Sequence, residues 1–130
     1  MTQVELNKPR ILHVDDDDDI RVITQLALEV VGKLELRQCA SGQEALSSVA
    51  EFTPDLFLLD VMMPGMSGEE TLEALRRLPG MEKIPVIFMT AKAQTDDVAR
   101  LMDLDSARVI TKPFDPITLA SEIVEIWQQQ

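Results

Sequence analysis

The sequence predicts an α/β fold, a doubly wound parallel sheet of five strands and five helices with helices on both faces. Short runs that are apolar on both faces alternate along the chain with longer stretches in which apolar residues recur at helical spacing. The connections between these segments are short. With 130 residues, of which 45% are hydrophobic, the chain has material for one domain with a substantial core.

Five segments are predicted to be strands. Three continuous apolar runs are too short for helices, as is typical of parallel strands that helices cover on both sides: Ile11 to Val14, Leu56 to Leu59 and Val86 to Met89. Leu34 to Cys39 alternates apolar and polar residues, as an edge strand does, and Arg108 to Thr111 is the fifth candidate.

Five stretches between these strands show the spacing of amphipathic helices. The first is predicted to bury one apolar stripe, formed by Ile20, Ile23, Leu26, Ala27, Val30 and Val31. The corresponding stripes of the later helices are Ala45, Leu46, Val49 and Ala50; Leu72, Leu75 and Leu78; Val98, Leu101 and Met102; and Leu119, Ile123, Ile126 and Trp127. Helices and strands therefore alternate throughout the chain.

Polar residues that favour helix starts precede three of these stretches. Ser41 to Glu44 and Ser67 to Glu70 have the capping-box pattern, in which a serine hydroxyl and a glutamate three residues later satisfy free N–H groups reciprocally. Asp115, followed by a proline, is predicted to cap the last helix. These signals place the helix starts directly after the second, third and fifth strands.

The charge balance excludes some classes of partner. Asp and Glu number 23 against 12 Lys and Arg, for a formal net charge of -11, and such an acidic body repels phosphate backbones and anionic lipid surfaces.

One cysteine, Cys39, cannot form an internal disulfide, and Met1 to Arg10 has no signal-peptide core. No apolar run approaches the ~18 residues that cross a bilayer. We expect a cytoplasmic protein without direct nucleic-acid binding or membrane insertion.

Chemically reactive side chains follow the predicted strands. Asp15 and Asp16 follow the first strand, Asp60 the third, Thr90 the fourth and Lys112 the fifth. Functional groups of such sheets collect at the carboxyl ends of the strands, so these side chains are expected to lie together. Three neighbouring carboxylates repel one another by about 1 kcal/mol per pair in water and about 4 kcal/mol at an effective dielectric of 20. The site therefore needs positive charge.

A hard divalent cation suits this site, because Mg²⁺ prefers oxygen ligands and commonly uses one or two carboxylates plus a phosphate. Lys112 supplies a second positive charge. These groups provide what phosphoryl transfer to a carboxylate requires, which is mainly positioning and charge neutralisation. Asp60 is predicted to be the nucleophile, with Lys112 neutralising the phosphoryl oxygens and Thr90 donating a hydrogen bond to one of them.

The site residues lie in four sequence blocks whose order and spacing are specific. The blocks are Ile11 to Asp16, Asp55 to Gly68, Pro85 to Ala91, and Thr111 to Phe114. They resemble the receiver domains of two-component response regulators, of the single-domain chemotaxis-regulator type, over nearly the whole chain. The resemblance implies a flavodoxin-like sheet with strand order 2-1-3-4-5. It also implies one receiver domain over residues 1–130, with its core over about 8–127 and no output domain.

The resemblance assigns a role to each acidic residue of the site. Asp60 corresponds to the phosphoacceptor. Asp16 corresponds to the acid that binds Mg²⁺ directly, Asp15 acts largely through water, and the backbone carbonyl of Met62 completes the protein ligands. Mg²⁺ is thus the expected cofactor.

Three further positions gain roles from the same resemblance. Thr90 corresponds to the switch hydroxyl, and Lys112, which is expected to precede a cis peptide bond, corresponds to the phosphate-binding lysine. Residues 90–95 are expected to move on phosphorylation. Many receivers carry an aromatic residue where this chain has Val109. Valine has no comparable rotamer swing, so a relay through a turning ring is not expected here.

The resulting hypothesis is a stand-alone phosphoacceptor switch, which is not an enzyme in the usual sense although it assists its own phosphorylation and dephosphorylation. A sensor histidine kinase or a histidine phosphotransfer protein is expected to supply the phosphoryl group, and a downstream protein to read the switch. The cognate kinase, the target, the lifetime of the phosphoryl group and phosphorylation-dependent dimerisation all stay open.

Two other functions were weighed against this one. A binding module that kept the fold but lost the chemistry is disfavoured because the five site residues are all present. A Mg²⁺-dependent phosphatase with an aspartyl nucleophile typically needs a second acid two residues later, where this chain has Met62. The single histidine, His13, lies within the first predicted strand, which favours a packing role.

Overall fold

The computed structural model describes residues 8–91, 95–103 and 107–130, with the side chains of 95–97 outside that description. Its five strands are β1 (Arg10–Val14), β2 (Glu35–Cys39), β3 (Leu56–Asp60), β4 (Val86–Thr90) and β5 (Arg108–Thr111). All pairings are parallel, and the order is β2-β1-β3-β4-β5. The predicted fold and strand order are confirmed.

Five helical segments connect and follow the strands. They are α1 (Asp18–Gln25), which continues as a π-helical segment (Leu26–Val31), α2 (Gly42–Phe52), α3 (Gly68–Arg76), α4 (Thr95–Asp103) and α5 (Leu119–Gln128). Side chains of β1 alternate between the two faces of the sheet: Leu12 and Val14 pack with α2, α3 and α4, whereas Ile11 packs with α1 and α5. Within the described ranges, none of the helices has the length and apolar character needed to span a membrane.

The predicted buried face of α1 is correct at Ala27 but wrong at Leu26 and Val30. Thr24, Ala27 and Leu28 are fully buried, whereas Leu26 and Val30 of the predicted stripe are 53% and 58% exposed. The buried residues also follow helical spacing. Packing against the strands, and not maximum hydrophobicity, therefore decides which face is buried.

The two capping boxes differ in the structure. In α3 the box is complete, since Ser67 Oγ accepts from the Glu70 N–H at 3.1 Å and the Glu70 carboxylate accepts from the Ser67 N–H at 3.0 Å. In α2, Ser41 Oγ accepts from the Glu44 N–H, but the Glu44 carboxylate accepts from the N–H of Ala40. The capping box predicted for Ser41 to Glu44 is thus half correct, because the Glu44 carboxylate binds the N–H of Ala40 instead of that of Ser41.

The predicted cap of the last helix is displaced. Asp115 Oδ1 accepts from the Ile117 N–H at 2.9 Å and so stabilises a turn that precedes the helix. The helix itself begins at Leu119, after Thr118. Asp115 therefore shapes the connection from β5 and does not cap α5.

Candidate functional site

The predicted site residues meet in one cleft at the carboxyl edge of the sheet. Asp60 and Thr90 are the last residues of β3 and β4, Asp15 directly follows β1, and Lys112 directly follows β5. The cleft has a volume of about 320 Å³ and is lined by Asp15, Asp16, Asp17, Asp60, Met62, Thr90, Ala91 and Lys112. Parallel register brings these positions together, since neighbouring strands end at the same level.

Lys112 joins two of the three acids. Its Nζ donates to Asp15 Oδ2 at 2.9 Å and to Asp60 Oδ1 at 2.9 Å. Its backbone N–H donates to the carbonyl oxygen of Thr90 at 2.8 Å, and the Lys112–Pro113 peptide bond is cis, as the sequence analysis expected. The ammonium is therefore held between the ends of β1 and β3, and the Lys112 backbone is bound to the end of β4.

The three carboxylates form a compact cluster of oxygen donors. Oxygen atoms of Asp15, Asp16 and Asp60 all lie within 4.8 Å of one another. Asp15 is fully buried, Asp60 is 6% exposed and Asp16 is exposed. One ammonium cannot balance three such charges, and a set of carboxylate oxygens suits a hard cation such as Mg²⁺. These residues have the chemistry to hold one at the mouth of the cleft.

Burial shifts the ionisation of the central pair. Desolvation raises the pKa of Asp60 above 3.8; the hydrogen bond to Lys112 and its charge counteract this rise, and the negative charges of Asp15 and Asp16 add to it. Burial by itself lowers the pKa of Lys112, but its hydrogen bonds to Asp60 and Asp15 outweigh burial, and the pKa of Lys112 is raised. Lys112 therefore stays charged at neutral pH.

The raised pKa of Asp60 predicts a pH-dependent stability difference. A raised pKa stabilises the folded state below the unfolded pKa, and this contribution is lost as pH rises through the folded pKa. Without Mg²⁺, the free energy of unfolding of Asp60→Asn relative to wild type is therefore expected to increase as pH rises above about 3.8. Urea unfolding of both proteins across this range measures the difference. A difference that does not change with pH would contradict the prediction.

Gly68 is a site-shaping residue that the sequence reasoning did not single out for a role. It is the first residue of α3, and its N–H donates to the Val61 carbonyl oxygen at 3.0 Å. A Cβ atom at this position would lie 2.2 Å from the carbonyl oxygen of Asp60 and 3.0 Å from its carbonyl carbon. Only a glycine allows α3 to begin this close to the backbone of Asp60.

Gly68→Ala is expected to lower both stability and reactivity. The new methyl group must displace the Asp60 backbone, which should cost about 1–3 kcal/mol of the free energy of unfolding. Phosphorylation of the residual folded protein should also slow, because the Asp60 carboxylate moves with its backbone. Urea unfolding and phosphoramidate labelling measure the two effects.

Gly80→Ala is the control for that change. Gly80 has a positive φ of 85°, but its Cβ would meet no atom within 4 Å. The alanine there should cost stability, by about 1–2 kcal/mol, without slowing the labelling of folded protein. Equal labelling rates for the Gly68 and Gly80 variants would show that Gly68 does not position Asp60.

His13 is fully buried in β1, as its predicted packing role requires. Its Nδ1 lies 3.1 Å from the Nε2 of Gln38 on β2. Burial, and then the charges of Lys112 and Arg21, lower the pKa of His13 to about 3. The ring is therefore neutral at physiological pH and serves as an acceptor for the Gln38 amide.

Known proteins resemble this chain both in sequence and in fold. The sequence matches the family described as the response regulator receiver domain over residues 11–124. The chain belongs to this family. Among solved structures, the receiver is similar to the chemotaxis response regulator CheY4 of Vibrio cholerae (TM-score 0.82, 27% identity, 92% of this chain and 98% of that one). It is also similar to the N-terminal receiver domain of a Methanoculleus marisnigri response regulator (TM-score 0.72, 35% identity, 91% and 95%).

Its curated relatives are longer regulators. The receiver is 37% identical to the phosphate regulon transcriptional regulatory protein PhoB of Pseudomonas aeruginosa, over 87% of this chain and 49% of PhoB. It is 37% identical to the transcriptional regulatory protein CseB of Streptomyces coelicolor, over 90% of this chain and 48% of CseB. The receiver thus spans about half the length of these relatives. A DNA-binding response regulator, MtrA of Mycolicibacterium smegmatis, is 34% identical over 89% of this chain and 49% of MtrA.

Proposed function

We propose that the receiver is a phosphoacceptor switch in which Asp60 takes a phosphoryl group from a phosphohistidine donor in a Mg²⁺-dependent reaction. The observation that carries this proposal is the position of the Lys112 ammonium, 2.9 Å from the carboxylates of both Asp15 and Asp60. A fixed positive charge beside a nearly buried carboxylate favours the transfer of an anionic group to that carboxylate.

The transfer is a displacement at phosphorus. An oxygen of the ionised Asp60 carboxylate forms the new P–O bond, and the P–N bond to the donor histidine breaks with its electron pair left on the imidazole nitrogen. Lys112 holds the attacking carboxylate in place and neutralises charge on the phosphoryl oxygens. Thr90, the last residue of β4, would donate a hydrogen bond from its hydroxyl to one of those oxygens.

The acid cluster supports the metal requirement. Asp15, Asp16 and Asp60 would hold Mg²⁺ with their carboxylates, and Met62 would add its backbone carbonyl, because these groups line the same cleft. Bound Mg²⁺ supplies positive charge to the phosphoryl oxygens during transfer. In our proposal, the first two acids serve chiefly this purpose, and Asp60 serves also as the nucleophile.

Phosphorylation would replace the single negative charge of the Asp60 carboxylate with a phosphoryl group that carries roughly -1.5 to -2 charges, and this change would bias the receiver between two conformations. Thr90 and the residues up to 95 are the proposed moving part; residues 92–94 lie outside the described structure. A sensor histidine kinase or a histidine phosphotransfer protein is the proposed donor. The expectations of a cytoplasmic location, a protein target and a receiver without an output domain stay predictions. The absence of direct DNA contact also stays a prediction. Because MtrA is a DNA-binding response regulator, DNA binding by this protein needs to be tested directly.

The test uses a small phosphodonor and needs no cognate kinase. The protein is incubated with phosphoramidate and Mg²⁺, and intact mass spectrometry should show the mass of one added phosphoryl group, which peptide mapping places on Asp60. A chelator should prevent the reaction. Labelling without a divalent cation, labelling elsewhere, or continuous turnover of a free phosphate ester would contradict the proposal.

A further inference from the structure

Arg21, on α1, binds the loop that carries the first two acids. Its Nη1 donates to the backbone carbonyl oxygen of Asp15 at 2.7 Å, and its Nη2 contacts the carboxylate of Asp18. The side chain is only 21% exposed, although it lies at the protein surface. The planar guanidinium thereby satisfies two acceptors at once. A lysine ammonium would hold them less rigidly, because its N–H donors rotate freely.

The carbonyl that Arg21 binds belongs to the peptide unit joining Asp15 to Asp16. Because a peptide unit is planar, a hydrogen bond to this carbonyl orients the whole unit, including the bond to Asp16. Asp15 is held independently, since its N–H donates to the Cys39 carbonyl at 3.1 Å and its Oδ1 accepts from the Asp17 N–H at 3.0 Å. Asp16 is the exposed member of the acid cluster, so its placement depends most on the peptide that precedes it.

Arg21 is itself attached to β2 and, through Gln38, to β1. Its backbone carbonyl accepts from the Nε2 of Gln38, on β2, at 2.8 Å. The same amide nitrogen lies 3.1 Å from the Nδ1 of His13 on β1. A partly buried chain of contacts thus runs from β1 through β2 to the first turn of α1, and the guanidinium extends from this support to the acid loop.

We propose that Arg21 is a positioning residue for the metal site, which orients the Asp15–Asp16 peptide so that the Asp16 carboxylate stays beside those of Asp15 and Asp60. The inference rests on the proposed Mg²⁺-dependent function. Its two physical effects have opposite signs. The positive charge of Arg21 by itself repels Mg²⁺, so loss of the charge alone would tighten binding, whereas loss of the positioning contact weakens it.

Arg21→Met separates these effects, because methionine retains much of the side-chain volume without charge or donors. Titration of the full chain with Mg²⁺ by calorimetry should show about 10-fold to 100-fold weaker binding, the usual effect of losing a group that supports a metal ligand. Labelling by phosphoramidate should need correspondingly more Mg²⁺ and reach the wild-type rate at saturation. Arg21→Lys retains the positive charge and an ammonium that can reach only one acceptor in a defined geometry, so it should bind Mg²⁺ with intermediate affinity. This variant provides the test if Arg21→Met does not fold.

Arg77→Met is the matched control. Arg77 is the C-cap that directly follows α3, its side chain is 74% exposed, and it pairs with Glu73 on the helix surface. The same loss of charge there should leave the Mg²⁺ affinity within about twofold of wild type, since solvent and salt screen it. Arg21→Met binding as tight as wild type, or tighter, would overturn the positioning role while leaving the proposed function intact. A wild-type protein that does not bind Mg²⁺ would overturn both.

Discussion

Asp60→Asn is expected to reduce phosphoramidate labelling to the background level. The amide that replaces the carboxylate has nearly the same shape, but its oxygen is a far weaker nucleophile and it removes one charge from the acid cluster. Asp60 ends β3 with only 6% of its surface exposed, so the substitution changes the chemistry of one fixed position at the base of the cleft. Intact mass spectrometry in saturating Mg²⁺ measures the result.

Asp103→Asn is the matched control for that variant. Asp103 is the last residue of α4 and is exposed, so the same substitution removes one negative charge from the surface. It should be labelled like wild type. Stoichiometric labelling of Asp60→Asn at any other residue would remove the basis for the proposed phosphoacceptor.

Lys112→Met is expected to separate Mg²⁺ binding from phosphoryl transfer. The labelling rate should fall about 10²-fold to 10³-fold, the usual effect of removing one preorganised group that stabilises charge in a transition state. Mg²⁺ binding should be retained or tightened, because the metal no longer competes with an ammonium for Asp15 and Asp60. Calorimetry and labelling kinetics at saturating Mg²⁺ measure the two quantities on the same protein.

The same substitution should also lower stability at neutral pH without Mg²⁺. Removing one partner of a buried ion pair leaves uncompensated charge and costs about 3–5 kcal/mol. The loss should shrink in acid, where the Asp60 carboxylate, whose pKa is raised, takes up a proton. Lys83→Met, an exposed lysine in the turn before β4, is the control and should change neither labelling nor stability measurably. An unchanged labelling rate in Lys112→Met would contradict the role of the ammonium.

The sequence predicted the fold well because two periodicities agree along the whole chain. Runs such as Leu56 to Leu59 are buried on both faces and allow only a covered parallel strand, and the structure places them there. The hydrophobic stripe of α1 was only a partial guide to the buried face. Val30 and Leu26 are more hydrophobic than Thr24, yet Thr24 is fully buried and they are exposed. Helix periodicity identifies a helix more reliably than it identifies its buried face.

The site was predictable as a set of residues but not as an arrangement. Asp15, Asp60, Thr90 and Lys112 stand at strand ends, and parallel sheets bring strand ends to one edge. The positions of Gly68 and Arg21 carried no comparable signal. A glycine at a helix start and an arginine on an acidic helix are ordinary sequence features, and their importance comes from one carbonyl oxygen that each approaches.

The sequence by itself determined the five strands, their helical connections and the identity of the acids, the hydroxyl and the lysine, because local periodicity and residue chemistry depend on neighbours along the chain. The tertiary structure alone decided that the ammonium of Lys112 binds both Asp15 and Asp60, which lie 97 and 52 residues before it in the sequence. It also decided which face of α1 is buried and that α3 begins against the Asp60 backbone. These features depend on distances between distant segments, which packing sets and sequence spacing does not encode.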